Sequence, residues 1–232
     1  MDARRINFLQ GTGLGCVAGY VDTLGFMALF GLFTAHVTGN FVLIGVSLAD
    51  AGHASILLKF LAFPAFIAGI AAGRLLGVAA AGRGWPALTL ALLLQALLLS
   101  GFLGFGMLAT PIGDTASPAA MAAGLLGAAA MGVHSATSRL LLGHLAPTSM
   151  MTGNVTQIVI DSVDVLRGAG DAGTAERCGK FFWPLAGFGC GAIAAAFAYR
   201  SAGFMALLLP IAILLALVVL DRRTPATAAP KA

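Results

Sequence analysis

Long apolar runs separated by short clusters of Gly, Pro, Asp and Arg set the rhythm of this chain. A helix crosses a bilayer in about 20 residues. Runs of that length fall at roughly 10–33, 57–80, 87–109, 118–142, 180–199 and 202–220, which predicts six spans. Two shorter apolar pieces, at about 40–49 and 153–160, are left over. At about 1.5 Å per residue they recover only half of the hydrocarbon thickness, so they read as re-entrant half-helices. "GRGWP" (82–86) and "TPIGDTASP" (110–118) have turn composition. The polar stretch "DSVDVLRGAGDAGTAERCGK" (161–180) reads as a connection, and residues 222–232 read as a disordered cytoplasmic tail. Residues 1–232 therefore form a single membrane domain.

The pattern repeats. "TAHVTGN" (34–40) returns as "TSMMTGN" (148–154), each time just ahead of a short apolar piece. Gly15, Val21 and Asp22 match Gly127, Val133 and His134, "KFLAFP" (59–64) resembles "KFFWP" (180–184), and Gly69 and Gly73 match Gly187 and Gly191. An ordered series of this kind indicates duplication, with repeat 1 at about 8–110 and repeat 2 at about 118–221. Each copy holds three spans. Three is odd, so the second copy crosses in the opposite sense to the first, giving an inverted repeat.

Composition agrees with a bilayer as solvent, since 59% of residues are hydrophobic and 9% charged. The net charge of +4 changes the picture only through its placement. With six spans and a cytoplasmic N-terminus, one face receives Arg4, Arg5, Arg74, Arg83, Arg139, Arg167, Arg177, Lys180, Arg222, Arg223 and Lys231, and the other keeps Lys59 and Arg200. Counting the short pieces as full spans weakens that asymmetry. Cytoplasmic loops accumulate Lys and Arg, so both termini are expected inside a bacterial cytoplasmic membrane. The basic character is then a topology signal and no nucleic-acid footprint.

The candidate chemistry lies where the repeat interrupts the helices. Non-helical backbone survives within a bilayer only where protein or a water-filled cavity satisfies it. In Thr38-Gly39-Asn40 and Thr152-Gly153-Asn154 the Gly permits a sharp turn, and Thr or Asn can cap the helix that follows. Two helix starts converging near the midplane would offer unpaired N–H groups and partial positive charge to a solute; alternatively, both motifs cap their helices, bond to one another and seal the bundle. Asp22 sits near the centre of the first span, where a carboxylate costs at least ~2.5–3.5 kcal/mol. His134 takes the matching place in the fourth, so the two would approach one region, to exchange a proton or to pair as a buried hydrogen-bonded unit. Gln157 would face the same cavity and His36 would line it. Gln95 is expected to bond across helices, and Arg139 to snorkel to the cytoplasmic surface or reach an anion. Cys16, Cys178 and Cys190 lack paired spacing, and no His, Cys, Asp and Glu spacing suggests a metal. No catalytic motif is present, so no enzyme activity and no cofactor are expected.

"GYVDTLGF", "HVTGNFVLIG" and the second "MTGNVTQI" together resemble the YoaK-like bacterial membrane proteins, a domain-of-unknown-function family, over about residues 8–222. The resemblance implies a multi-spanning bacterial inner-membrane protein without catalytic residues, and places Asp22, Thr38, Gly39 and Asn40 at the family's most recognisable positions. The expectation is an all-α integral membrane protein of six spans and two half-helices. It would be a transporter or channel for a small solute or ion, protons among the candidates, with the lipid bilayer as partner and self-association into a homo-oligomer left open. The alternative is a structural or lipid-interacting membrane protein without transport activity.

Overall fold

A computed structural model describes residues 2–49, 56–171 and 173–223. The helices are α1 (Ala3–Ala28), α2 (Gly39–Ala49), α3 (Ile56–Arg83), α4 (Ala87–Leu108), α5 (Pro118–Leu140), α6 (Met151–Leu166), α7 (Thr174–Ala202) and α8 (Leu208–Arg223), with a 3-10 turn at Gly203–Leu207. No strand occurs among the described residues. Local chemistry sets the boundaries. Ser117 accepts a hydrogen bond from the Ala120 N–H ahead of Pro118, a favoured start for α5. At the start of α7, the Thr174 hydroxyl and the Gly173 N–H both donate to Asp171, and together hold its exposed carboxyl below the usual Asp range. Arg222 and Arg223, assigned to the tail by sequence, close α8 instead; the rest of that tail, 224–232, lies outside the described residues.

Glycines bring the helices together. Gly15 and Gly19 of α1 lie against the Pro184 and Phe188 carbonyls of α7, while Gly187 and Gly191 lie against those of Thr12 and Cys16. The numbers rise together, so α1 and α7 run parallel. The same device joins α3 to α5 in parallel, with Gly69 against the Ala129 carbonyl, Gly132 against that of Phe66, and Gly73 against Val133 and Ala136. Any Cβ at Gly15, Gly19, Gly69, Gly132, Gly187 or Gly191 would run into backbone, as expected where helices in lipid associate by close backbone approach.

The remaining contacts fix the other directions. Thr89, early in α4, donates to Asp221, late in α8 (2.7 Å), and Gly106, late in α4, faces Phe204 just ahead of α8. α4 and α8 are therefore antiparallel. The Tyr20 hydroxyl donates to the Ala206 carbonyl (3.0 Å) and Gly13 faces Ile213 and Leu217, so α1 also opposes α8. Gly101 faces Leu126 and Gln95 reaches His134, which sets α5 against α4. Thus α1, α4 and α7 point one way and α3, α5 and α8 the other. Leu29 and Leu32, past the end of α1, meet Leu58 from the start of α3 over Gly124. The chain consequently leaves α1 and begins α3 at one end of the bundle.

By length and composition, four helical stretches among the described residues suffice to cross a membrane: Ile56–Arg83, Ala87–Leu108, Pro118–Leu140 and the continuous Thr174–Arg223. The last has 50 residues, about 75 Å of straight helix, more than twice a hydrocarbon core. Its chain reverses at Gly203, whose φ of 54° suits a residue without Cβ. Polar and glycine positions in α1, most of them buried against neighbours, keep that helix below the apolarity of the other four. α2 has the expected length, whereas α6 runs on to Leu166 because its polar second half is tied down: Gln157 donates to Asp161 (3.0 Å), which accepts Nε of Arg177 in α7 (3.0 Å). Outward-facing Leu75, Leu97, Leu108, Ile193 and Phe197 are 64–75% exposed, a surface suited to lipid.

Replacing Gly19 or Gly132 by Ala is expected to cost about 1–3 kcal/mol or more through overpacking, lowering the unfolding temperature in detergent. Gly104→Ala, where nothing lies within 4 Å, should leave it unchanged.

Candidate functional site

Each half interrupts its helices in the same manner. After α1, Phe30 (φ 53°) and Gly31 (φ 72°) adopt left-handed conformations, and the chain doubles back along the helix it has just left. Thr34, Ala35 and His36 thereby return to the depth of Asp22, six residues or about 9 Å before the end of α1. Buried Asp22 receives them: its Oδ1 accepts the N–H groups of Thr34 (2.8 Å), Ala35 (2.7 Å) and His36 (3.3 Å), with the Thr34 hydroxyl at 3.4 Å. Asn40 then staples the loop, accepting the Phe33 N–H (2.9 Å) and donating to the Phe33 carbonyl (2.8 Å). α2 starts from this braced turn.

The second half follows the plan with changed chemistry. Past α5 the chain again doubles back, bringing Thr148 to buried His134, whose Nε2 lies 2.9 Å from the Thr148 hydroxyl. The other ring nitrogen, Nδ1, lies 3.1 Å from Gln95 Nε2 of α4, the bond across helices expected of Gln95. The imidazole thus links α4 to the loop through both of its ring nitrogens. Asn154 donates to the Pro147 carbonyl (2.8 Å), as Asn40 does to that of Phe33. Proline has no N–H to return, and among the described residues the buried Oδ1 of Asn154 and Oε1 of Gln95 have no partner.

Packing shifts the correspondence between the halves. Gly132, and not Gly127, stands where Gly15 stands in the helix contacts. Ser138 and Arg139, rather than His134, come to the level of Asp22. Ser138 accepts the Thr148 N–H (3.2 Å) just as Asp22 accepts that of Thr34.

The sequence-selected residues are thus divided between two loops. Asp22 and Asn40 belong to the first; His134 and Asn154 belong to the second. No hydrogen bond or ion pair joins Asp22 to His134 or Asn40 to Asn154 among the described residues. The Asn side chains brace the preceding loop, where a helix cap was expected. Gly39 lies outside the left-handed region, and its missing Cβ makes room for the Phe33 ring; nothing lies within 4 Å of the position a Gly153 Cβ would take. Thr38, Thr152 and His36 are exposed. Gln157 serves the Asp161–Arg177 pair. Thr34, Thr148 and Ser138 were missed by sequence reasoning, although both threonines open the duplicated "TAHVTGN" and "TSMMTGN" segments, a signal available all along.

Two pockets flank the second loop. One of about 200 Å³ lies between the end of α5 and the loop ahead of α6, with Ser135, Ser138, Arg139, Pro147, Ser149 and Met150 among its lining residues. A larger one of about 730 Å³ opens at the basic end of the bundle beside Arg4, His144, Glu176 and Lys180. No group of three or more His, Cys, Asp or Glu side chains among the described residues is arranged to hold a metal.

Helices with apolar outer faces, close glycine contacts and buried polar side chains turned to internal loops define an α-helical, multi-pass membrane protein. The chain belongs to the family described as "Protein of unknown function (DUF1275)", which matches residues 10–220. It is 32% identical over 134 residues to the UPF0700 transmembrane protein YoaK of Bacillus subtilis (strain 168), an alignment that covers 56% of this chain and 60% of that protein. The match therefore spans less than two thirds of the curated relative. No solved structure matches the chain.

Asn40→Ala strands both the N–H and the carbonyl of Phe33, at about 1–3 kcal/mol for each buried group left unpaired. Asn154→Ala strands one carbonyl and removes an already unpaired oxygen. Thermal unfolding in detergent should show the larger loss for Asn40→Ala; equal losses would contradict the bonding scheme.

Proposed function

We propose that the chain is a transporter or channel for a small solute or ion, built from two three-span halves inserted in opposite senses. Its spans are α1, α3 and α4, then α5, α7 and the 3-10 turn with α8. α2 and α6 are half-helices that leave and return on one side. The observation that carries this reading is the pair of loops that double back to the depth of buried polar side chains, Asp22 in one half and His134 with Ser138 in the other. Irregular backbone at that depth is characteristic of translocation sites in inverted repeats. Supporting it, the helix directions reverse from one half to the other, and each close helix pair has a counterpart. The starts of α1 and α7 and the ends of α3, α5 and α8 share one end with Arg4, Arg5, Arg83, Arg139, Arg177, Lys180, Arg222 and Arg223. Lys59 and Arg200 lie at the other, a distribution that favours cytoplasmic termini in a bacterial inner membrane.

The rival is a structural or lipid-interacting protein whose loops serve packing alone. It draws on one observation: Asp22 Oδ1 is occupied by three N–H groups of its own loop. Asp22→Asn separates the two, because its side-chain carbonyl can still accept the three N–H groups while the charge is gone. Folded Asp22→Asn protein in proteoliposomes should lose solute-dependent or proton flux by about tenfold or more; wild-type-like flux, or no flux from either protein for any tested ion, favours the rival.

In a variant stripped of native cysteines, Thr115→Cys should react with an impermeant maleimide in intact cells. Ala169→Cys should react only after permeabilisation. Labelling of both from one side would overturn the six-span arrangement.

A further inference from the structure

The two loops differ in what faces their backbone donors. In the first half a carboxylate built into the helix, Asp22, accepts the N–H groups of Thr34, Ala35 and His36. The matching residues of the second half are Thr148, Ser149 and Met150. Only Thr148 finds a comparable acceptor, the hydroxyl of Ser138; no protein acceptor meets the N–H of Ser149 or Met150 among the described residues. Where the first half places negative charge, the second places Ser138 and a guanidinium, Arg139. The small pocket lies at this spot, with about 200 Å³ of space and no Asp or Glu among its lining residues. Arg139 leans over the loop, with Nη2 3.7 Å from the Met150 sulfur, and no carboxylate lies within ion-pair distance of it among the described residues. The hydroxyls of Ser135, Ser138 and Ser149 supply further donors around the cavity.

We infer that this pocket is an oxyanion site, in which a phosphate, sulfate or carboxylate group takes the place that Asp22 holds in the first half. Guanidinium and oxyanion make charge-assisted, frequently bidentate hydrogen bonds, and a loop running into a helix start adds N–H donors and partial positive charge. The site rests on the reading of the halves as copies and gives the proposed solute a chemical class, but it does not require translocation. Free inorganic oxyanion and a phospholipid headgroup share the chemistry, and the pocket's opening near the basic end of the bundle admits either.

Isothermal titration of inorganic phosphate, sulfate and acetate into full-length protein purified in a phosphate-free maltoside detergent tests the site. Saturable binding of at least one anion is expected, weakened about tenfold or more by Arg139→Gln and unchanged by Arg5→Gln, which alters an exposed arginine outside the pocket. Ser149→Asp, which carries its own carboxylate into the cavity, should abolish binding while leaving thermal unfolding intact. No saturable binding, or binding indifferent to both Arg139→Gln and Ser149→Asp, overturns the proposal. In nanodiscs, phosphate binding that is lost in phosphatidylglycerol but kept in phosphatidylcholine identifies a lipid headgroup as occupant; binding kept in both identifies the free ion, and either result upholds the site. Saturable, Arg139-dependent binding without phosphate flux in proteoliposomes upholds the site and refutes transport of that anion alone.

Discussion

Backbone N–H groups that leave a helix inside an apolar bundle must find an acceptor, and this requirement organises the whole molecule. Water is not at hand in the hydrocarbon, where each unpaired group costs several kcal/mol. One carboxylate oxygen of Asp22 meets three successive N–H groups and so makes a doubled-back loop tolerable at that depth. The charge and the broken backbone are mutually dependent: the loop needs a strong acceptor, and the carboxylate, expensive in lipid by itself, needs donors. Asn40 completes the arrangement by pairing both polar groups of Phe33. The short helix α2 begins from a turn whose polar groups are already accounted for.

The loops reach that depth because the long helices beside them pack closely. α1 lies on α7 and α5 on α3 with glycine against backbone carbonyl. These two seams interlock the halves, since each joins the first helix of one copy to the third of the other. Lipid supplies little drive for apolar surfaces to associate, so close van der Waals approach has to do so. That explains why glycines stand at both seams, and why α1, with its polar and glycine positions turned toward neighbouring helices, falls short of the apolarity of the other long helices.

The two doubled-back loops share a shape and differ in chemistry. Asp22 faces its loop in one half; Ser138 and Arg139 stand at the same level in the other, with His134 and Gln95 adding a hydrogen-bonded link from α4 to the loop. Pro147 in place of Phe33 removes one donor and leaves the Asn154 oxygen unpaired. The first loop is self-contained. Among the described residues the second retains unmet donors, a guanidinium without a carboxylate partner and a cavity beside them, an asymmetry suited to binding something from outside the chain.

Much of this was legible in the chain's own pattern. Apolar run lengths located the helices among the described residues, because helix geometry and bilayer thickness fix how many residues each needs. The repeated Thr-Gly-Asn marked both turns, and the lone Gln95 signalled a bond across helices. The separate partners of Asp22 and His134 were not recoverable from letters. Aligning residues by type put Gly127 opposite Gly15, whereas contact between helices puts Gly132 there, because register is decided by which small residues let backbones meet. Nor could Thr-Gly-Asn reveal that its Asn reaches backward to the preceding loop, since a side chain's partner depends on where the folded chain returns. Sequence alone determined the all-helical, membrane-spanning character and the places where the helices are interrupted, both set by local hydropathy and spacing. Only the tertiary structure decided which donors meet which acceptors, and therefore which half closes on itself and which stays open, because hydrogen bonding within lipid is settled by distances of a few ångströms between segments far apart in the chain.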